Sequence, residues 1–266
     1  MKLNRRRSEL LQTLEERGSV SVVDEAEKFQ VSPMTVRRDL LDLEKAGLAR
    51  RVHGGAVIGR GRSFEPPYLV RENEASEAKS RIARTTAGLI AESDSIAIDT
   101  GSTALEVARM LKGRRNITVV TPAMRVAQAL FEEPELRVVL TGGMLRPGEG
   151  SLTGDFATRA FQDLSVDRLI LATAGLDADF GISDYNWDDV LVKQAMVRSA
   201  KEVIVVADSS KFGRVAFARI AGLDIIDKLV TDVAPTGELA EQLRINGVKV
   251  IIAEAVVLAD EHSSTA

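Results

Sequence analysis

The chain has 266 residues, 45% of them hydrophobic, which is enough for two domains and a sizeable core. It contains no cysteine, which excludes disulfides, thiolate zinc sites and a cysteine nucleophile. The net charge of −4 is unevenly spread: residues 1–63 carry 13 Lys and Arg against 9 Asp and Glu, and the remainder carries 22 against 30. A basic head on an acidic body suits a nucleic-acid reader joined to something else. The start, MKLNRRRSELLQTL, has no apolar signal core, and no run of about 18 apolar residues follows, so a cytoplasmic protein with no membrane partner is expected.

In chain order, residues 5–16 predict a helix with Leu10, Leu11 and Leu14 on one face, and residues 21–29 predict a second, with Ser21 and Asp24 as a capping-box-like start. Ser32 is a favoured N-cap and Pro33 suits the first helical position, so a third helix begins sharply. Val36, Leu40 and Leu43 form its buried stripe, leaving Met34, Thr35, Arg37, Arg38 and Asp42 on other faces. The cluster sits at the helix N-terminus, the end that a recognition helix inserts into the major groove. Gly47 is expected to close this helix. Residues 48–58 then read as two short strands around Gly54-Gly55, a wing carrying Arg50, Arg51 and His53 against phosphate or the minor groove. Helix, helix, turn, helix and hairpin make a winged helix-turn-helix over residues 1–58, with double-stranded DNA as partner and Ser32, Met34, Thr35, Arg37, Arg38, Arg50, Arg51 and His53 as candidate contacts. A small helical interaction domain with a charged, solvated face is the alternative.

Residues 59–76 hold two glycines, a Pro-Pro pair and dense charge, and read as a linker. From residue 77 to 254, amphipathic helices (77–91, 104–111 and 237–245 among them) alternate with short β-branched runs. These are SIAID, ITVV, RVVLT, RLILATA, EVIVVAD, KLVTD and VKVIIA. The pattern predicts an open, mostly parallel α/β sheet with ligands in loops at the carboxyl ends of strands, followed by a polar tail at 255–266.

Several strand ends carry glycines and polar groups. Asp99-Thr100-Gly101-Ser102-Thr103 follows a strand and opens a helix, and the free amides of a helix N-terminus beside two hydroxyls suit an anion. A capped helix with a tight turn fits the same spacing. Gly142 and Gly143 lead into a glycine-rich loop, Gly175-Leu176-Asp177 ends another strand, and Asp208-Ser209-Ser210-Lys211 a further one. Each is also an ordinary turn sequence. Together they would form a rim suited to a small polyhydroxylated anion. There is no GxxxxGKS/T and no GxGxxG after a strand, so nucleotide binding is not supported, and neither a cofactor nor a metal is expected.

The run Ser32, Thr35, Val36, Arg37, Arg38, Asp39, Leu40, Leu43, Glu44, Gly47, Leu48, His53, Gly54, Gly55 and Ala56 resembles the DNA-binding signature of the DeoR family of bacterial sugar-metabolism regulators. The C-terminal half resembles that family's sensor domain, which implies a fold shared with ribose-5-phosphate isomerase and glucosamine-6-phosphate deaminase. The family's phosphate loop falls on Asp99, Gly101, Ser102 and Thr103, its Gly-Gly loop on Gly142 and Gly143, and its Gly-Leu turn on Gly175 and Leu176. Its Val-Lys helix falls on Val192 and Lys193, and its Asp-Ser-Ser-Lys-Phe-Gly on residues 208–213. The effector-binding set is therefore Asp99, Gly101, Ser102, Thr103, Gly142, Gly143, Gly175, Asp177, Lys193, Asp208 and Lys211. Two departures bear on effector choice: Thr121-Pro122 stands where the family usually has Thr-Asn, and Asp188 and Asp189 stand where it often has Glu.

The resemblance implies a transcriptional repressor, a homodimer or homotetramer on repeated half-sites, relieved by a phosphorylated sugar or related metabolite. The rival is a sugar-phosphate isomerase or deaminase-like enzyme with a DNA-binding head. It would need a base over its substrate. The two histidines, His53 and His262, lie in the wing and the tail, which leaves Asp177, Asp179 or Asp208 for that role. The DNA-reading head favours the regulator, with no catalytic residue.

Overall fold

The computed structural model describes residues 5–45, 48–52, 54–58 and 61–254. Gly47, His53 and the tail at 255–266 lie outside the described residues, as does the side chain of Arg50. The chain divides into two compact units, residues 1–71 and 72–266.

In the first unit, α1 (Arg5–Arg17), α2 (Val22–Lys28) and α3 (Pro33–Lys45) enclose a core of Leu10, Leu14, Val36, Leu40 and Leu43. Each such side chain contributes about 1.5–3 kcal/mol by leaving water. The wing is β2 (Ala49–Val52) and β3 (Gly55–Ile58), antiparallel, with Val52 opposite Gly55. A third strand, β1 (Ser19–Ser21), pairs with the other edge of β3, giving the order β1-β3-β2. Ser21 both ends this strand and caps the second helix as expected, its hydroxyl accepting from the Asp24 amide at 3.4 Å.

The stretch read as a linker contains structure of its own. Helix α4 (Tyr68–Asn73) starts behind Pro67, whose carbonyl accepts from the amides of Val70 and Arg71. Phe64 and Val70 pack on the helical core of the first unit. Proline before a helix is compatible with its first turn, which is why the Pro-Pro pair starts a helix instead of preventing one.

The second unit is built on a seven-stranded, wholly parallel sheet of β4 (Ser95–Ile98), β5 (Ile117–Thr121), β6 (Leu136–Leu140), β9 (Val166–Ala172), β12 (Ala200–Val206), β14 (Lys228–Thr231) and β15 (Lys249–Ile252). Its order is β15-β14-β12-β9-β4-β5-β6. The helices are α5 (Ser76–Ala87), α6 (Ser102–Arg109), α7 (Met124–Leu130), α8 (Asp155–Ala160), α9 (Trp187–Ser199) and α10 (Gly237–Ile245). A ribbon of β7 (Met144–Leu145) with β8 (Leu152–Thr153), and a small antiparallel sheet of β10 (Gly175–Asp177), β11 (Gly181–Asp184) and β13 (Ala218–Ala221), decorate one end. The chain winds outward from β4 through β5 to β6, then returns to lay β9 on the other side of β4 and winds the opposite way. The order thus reverses between β4 and β9, the usual ligand position in an open α/β sheet. No helix among the described residues is long and apolar enough to cross a membrane.

Candidate functional site

On the first unit, α3 presents Met34, Arg37 and Arg38 to solvent, with Thr35 partly covered. Neither Arg37 nor Arg38 has a salt-bridge partner among the described residues, so both guanidinium groups are available to a polyanion. Ser32 is the cap: its Oγ accepts from the Thr35 amide at 3.2 Å and shares a hydrogen bond with Thr35 Oγ1 at 2.9 Å. The next residue in the signature, Asp39, points the other way. It is buried and receives Arg6 Nε at 2.5 Å and Arg7 Nε at 2.8 Å, while Arg7 also reaches Asp42 at 2.6 Å. Burial pushes the Asp39 carboxyl up, but the hydrogen bonds and charges of Arg6 and Arg7 outweigh it and hold the group below the usual range. Two arginines of α1 thereby fix the angle of the recognition helix. Sequence reasoning missed them, because their spacing from Asp39 is set by tertiary packing alone. Glu44, in the last turn of α3, receives both the backbone amide of the wing residue Arg51 at 3.0 Å and its Nε at 2.5 Å. Arg50 lies in the backbone of β2.

On the second unit, Asp99 leaves β4 at the reversal point. Its amide donates to the Ile170 carbonyl at 3.1 Å, and its Oδ2 accepts from the Ala172 amide at 3.0 Å and from the Lys193 ammonium. Lys193, buried on α9, also donates to Asp184 Oδ2 at 2.9 Å and to the Ala172 carbonyl at 3.1 Å. Burial alone would lower the Lys193 pKa, but Asp184 and Asp99 together raise it, so it stays an ammonium. For Asp99 burial is the largest influence and pushes its carboxyl up against the pull of Lys193. Asp184 was not anticipated from sequence. As a residue ending a four-residue strand, it carried no signal of its own.

Directly after this knot, Gly101, at φ 110°, caps α6 without any side-chain hydrogen bond. Ser102 and Thr103 open the helix, largely buried, so the first-turn amides and two hydroxyls collect above the Asp99–Lys193 pair. Thr121 closes the adjacent strand: its hydroxyl donates to the Ile98 carbonyl at 2.7 Å and accepts from the Ala123 amide at 3.1 Å. Gly142 and Gly143 lead from β6 into the β7–β8 ribbon, which is sewn to the β5–α7 turn by Leu152 N to Pro122 O and Met124 N to Gly150 O. Arg146 in that ribbon pairs with Asp189 in the first turn of α9, where Asn186 Oδ1 caps the amides of Asp188 and Asp189. Ser151, wholly buried in the same loop, has an Oγ with no hydrogen-bond partner.

The remaining candidates have local structural employment. A Cβ on Gly175 would lie 2.2 Å from the Arg214 carbonyl, so this glycine is required by close backbone approach. Asp177 Oδ1 accepts from the amides of Asp179 at 3.1 Å and Phe180 at 2.9 Å, closing the β10–β11 turn. Asp208, buried, caps the short turn Ser209–Lys211 through the Ser210 amide at 3.1 Å. Lys211 is half-buried at the end of β12 and has no salt-bridge partner among the described residues. The geometry thus gathers Asp99, Gly101, Ser102, Thr103 and Lys193 at the β4–β9 reversal point, while Gly175 and Asp177 lie in the small sheet.

Comparison with known proteins matches two family descriptions: the DeoR-like helix-turn-helix domain over residues 6–60 and the DeoR C terminal sensor domain over residues 74–233. A putative aga operon transcriptional repressor of Escherichia coli is 34% identical over 249 residues, covering 93% of this chain and 93% of that protein. The glycerol-3-phosphate regulon repressor of Escherichia coli is 33% identical over 88% of this chain and 93% of its own. The HTH-type transcriptional regulator GlpR of Haloferax volcanii is 35% identical over 92% of this chain and 96% of its own. Among solved structures, a ribose 5-phosphate isomerase A from Methanocaldococcus jannaschii aligns at 16% identity and a TM-score of 0.38, covering 50% of this chain and 53% of that one. A likeness at that score bears on neither fold nor function.

Proposed function

We propose, because the chain belongs to the DeoR family of transcriptional regulators, that it is a cytoplasmic repressor of a carbohydrate-metabolism operon, released from its operator by a phosphorylated sugar or related metabolite. Its DNA-reading part is the winged helix-turn-helix, with α3 for the major groove and the wing for phosphate or the minor groove. Arg37 and Arg38 contact DNA directly. Ser32 shapes the start of α3, and Asp39 sets its tilt.

The observation that carries the effector reading is the uncapped N-terminus of α6 at the reversal point of the sheet. The first turn of α6 and the Thr103 hydroxyl suit a dianionic phosphate, and the Asp99–Lys193 pair holds that loop in place. Lys193 has three donors and three protein acceptors, so its contribution is to position the loop; Lys211 supplies positive charge from the β12 end. The effector acts only if it prefers one arrangement of the regulator over another. One winged helix offers few phosphate contacts, so a homodimer or homotetramer reading repeated half-sites of double-stranded DNA is the working assembly.

The isomerase or deaminase reading requires a carboxylate with lone pairs to spare. Of the carboxylates named for that role, Asp177 and Asp208 each hold a local turn through backbone amides and Asp179 is exposed on the β10–β11 turn, which disfavours all three as bases. A thermal-shift screen against phosphorylated sugars, followed by anisotropy on operator DNA with each hit, tests the proposal. A hit that raises the melting temperature and releases DNA supports it, whereas turnover of a hit without effect on DNA binding supports the enzyme.

A further inference from the structure

Helix α3 opens with residues that have little polar capacity left for a base edge. Pro33 has no amide hydrogen, and the hydroxyls of Ser32 and Thr35 bond to each other at 2.9 Å, with Ser32 Oγ also accepting from the Thr35 amide. Between them stands Met34, 67% exposed, the most exposed large apolar side chain among the described residues of the first unit. Single exposed apolar residues are ordinary on protein surfaces, and it is the place of this one that carries information. Arg37 and Arg38 follow three and four residues on, one turn away on the same side of the helix, both exposed and without a salt-bridge partner among the described residues. The buried stripe of Val36, Leu40 and Leu43 lies on the opposite side.

In the major groove the edges of A·T and G·C pairs present donors and acceptors, and one apolar group, the 5-methyl of thymine. A thioether side chain has no hydrogen to donate and is a weak acceptor, so it gains little from a guanine, adenine or cytosine edge. Its rotatable bonds and polarizable sulfur let it close on a methyl group.

We propose that Met34 reads the 5-methyl group of a thymine in the operator half-site, beside the guanidinium contacts of Arg37 and Arg38. The proposal rests on the DNA-reading role given to α3 above and names the base that this helix selects. Four residues of helix advance about 6 Å and successive bases about 3.4 Å, so the thymine lies about one or two base pairs from the contact made by Arg38. Burying one methyl group against the thioether is worth about a fourfold change in affinity.

The test begins with selection of a duplex from random double-stranded DNA by the full-length chain. The selected duplex is then resynthesised with deoxyuridine in place of each thymine in turn, which removes the methyl group and keeps the base pairing. Anisotropy titrations compare the parent, Met34→Ala, and Val23→Ala as a control from the first turn of α2, where Val23 is 66% exposed. Alanine is the best helix former, so both variants should fold. One thymine in each half-site should be sensitive to deoxyuridine, weakening the parent about fourfold. Met34→Ala should bind the unmodified duplex more weakly and lose that sensitivity, while Val23→Ala keeps it. If no thymine is sensitive, or if Met34→Ala keeps the parent's sensitivity, Met34 does not read a methyl group and the DNA-reading role of α3 stands. If no sequence is selected over random DNA, that role falls together with the proposal.

Discussion

Asp99 and Lys193, 94 residues apart in sequence, form a buried ion pair directly beneath the N-terminus of α6. The pair joins β4 to α9, and Lys193 adds β9 through Ala172 and β11 through Asp184. Replacing Lys193 with Met should leave the buried Asp99 carboxylate without its ammonium partner, at a cost of about 3–5 kcal/mol in chemical denaturation. A lysine whose folded pKa is raised contributes stability that is whole below its unfolded value of about 10.4 and is lost as pH rises through the folded one. Melting temperatures between neutrality and that value should therefore show no loss traceable to this group. A variant as stable as the parent would mean that the pair is not what holds the loop.

Asp39 offers the same kind of test in the other unit. Asp39→Asn removes a charged acceptor from two guanidinium groups that stay partly solvated, so the expected loss is about 1.5–3 kcal/mol. The folded pKa is depressed, so this stabilisation is present above the unfolded value of about 3.9 and lost as pH falls through the folded one. Acid denaturation of the parent should show this loss below about pH 4, and Asp39→Asn should not. Identical acid profiles would count against the clamp.

These two carboxylates also mark the limit of what the sequence discloses. The recognition helix was legible because Ser32, Pro33 and a Val36, Leu40, Leu43 stripe are local signals, and all seven sheet strands were legible as β-branched runs, although the edge strands β6 and β15 are largely exposed rather than buried. The short elements were not. β1, β10 and β7 have two or three residues each, too few for alternation to register, and they exist because a neighbouring strand supplies hydrogen bonds. Side-chain contacts were harder to read for the same reason. Asp177, which reads as a ligand beside a strand end, closes a local turn through Oδ1, whereas Asp184, with no motif around it, meets Lys193 through tertiary packing.

Arg38→Ala should weaken operator binding. Loss of a base contact would cost about 1–3 kcal/mol and relax sequence preference, while loss of a phosphate contact would lower the salt slope by about one unit. Anisotropy titrations at several salt concentrations separate the two, and unchanged affinity would remove Arg38 from the interface.

The wing gives a prediction in the opposite direction. Glu44 engages Arg51 through both its amide and its guanidinium and so competes with DNA phosphate for that cation. Glu44→Gln should raise affinity for specific and random DNA alike by a few-fold, because the exposed pair is weak and screened by solvent. Arg51→Glu should lower both. If either variant changed effector affinity alone, the wing would not be a DNA contact.

Thr103→Ala and Lys211→Ala bear on the proposed coupling between the two units. Thr103 lies in the first turn of α6, where its hydroxyl can donate to an ionised phosphate, and removing such a bond costs about 1.5–3 kcal/mol, hence roughly ten- to hundredfold in effector affinity. Lys211 has no salt-bridge partner among the described residues and is absent from the Asp99–Lys193 knot, so Lys211→Ala should leave stability near the parent's while weakening the same ligand. Both variants should bind operator DNA as the parent does when no effector is present, because neither residue belongs to the DNA-reading unit. The expected phenotype is a repressor that holds its operator and ignores the sugar phosphate, read by calorimetry for the effector and anisotropy for DNA release. If both variants respond like the parent, the phosphate binds elsewhere. If both lose folding and DNA binding together, residues 99–103 are a structural turn, and the anion reading of the α6 N-terminus falls with them.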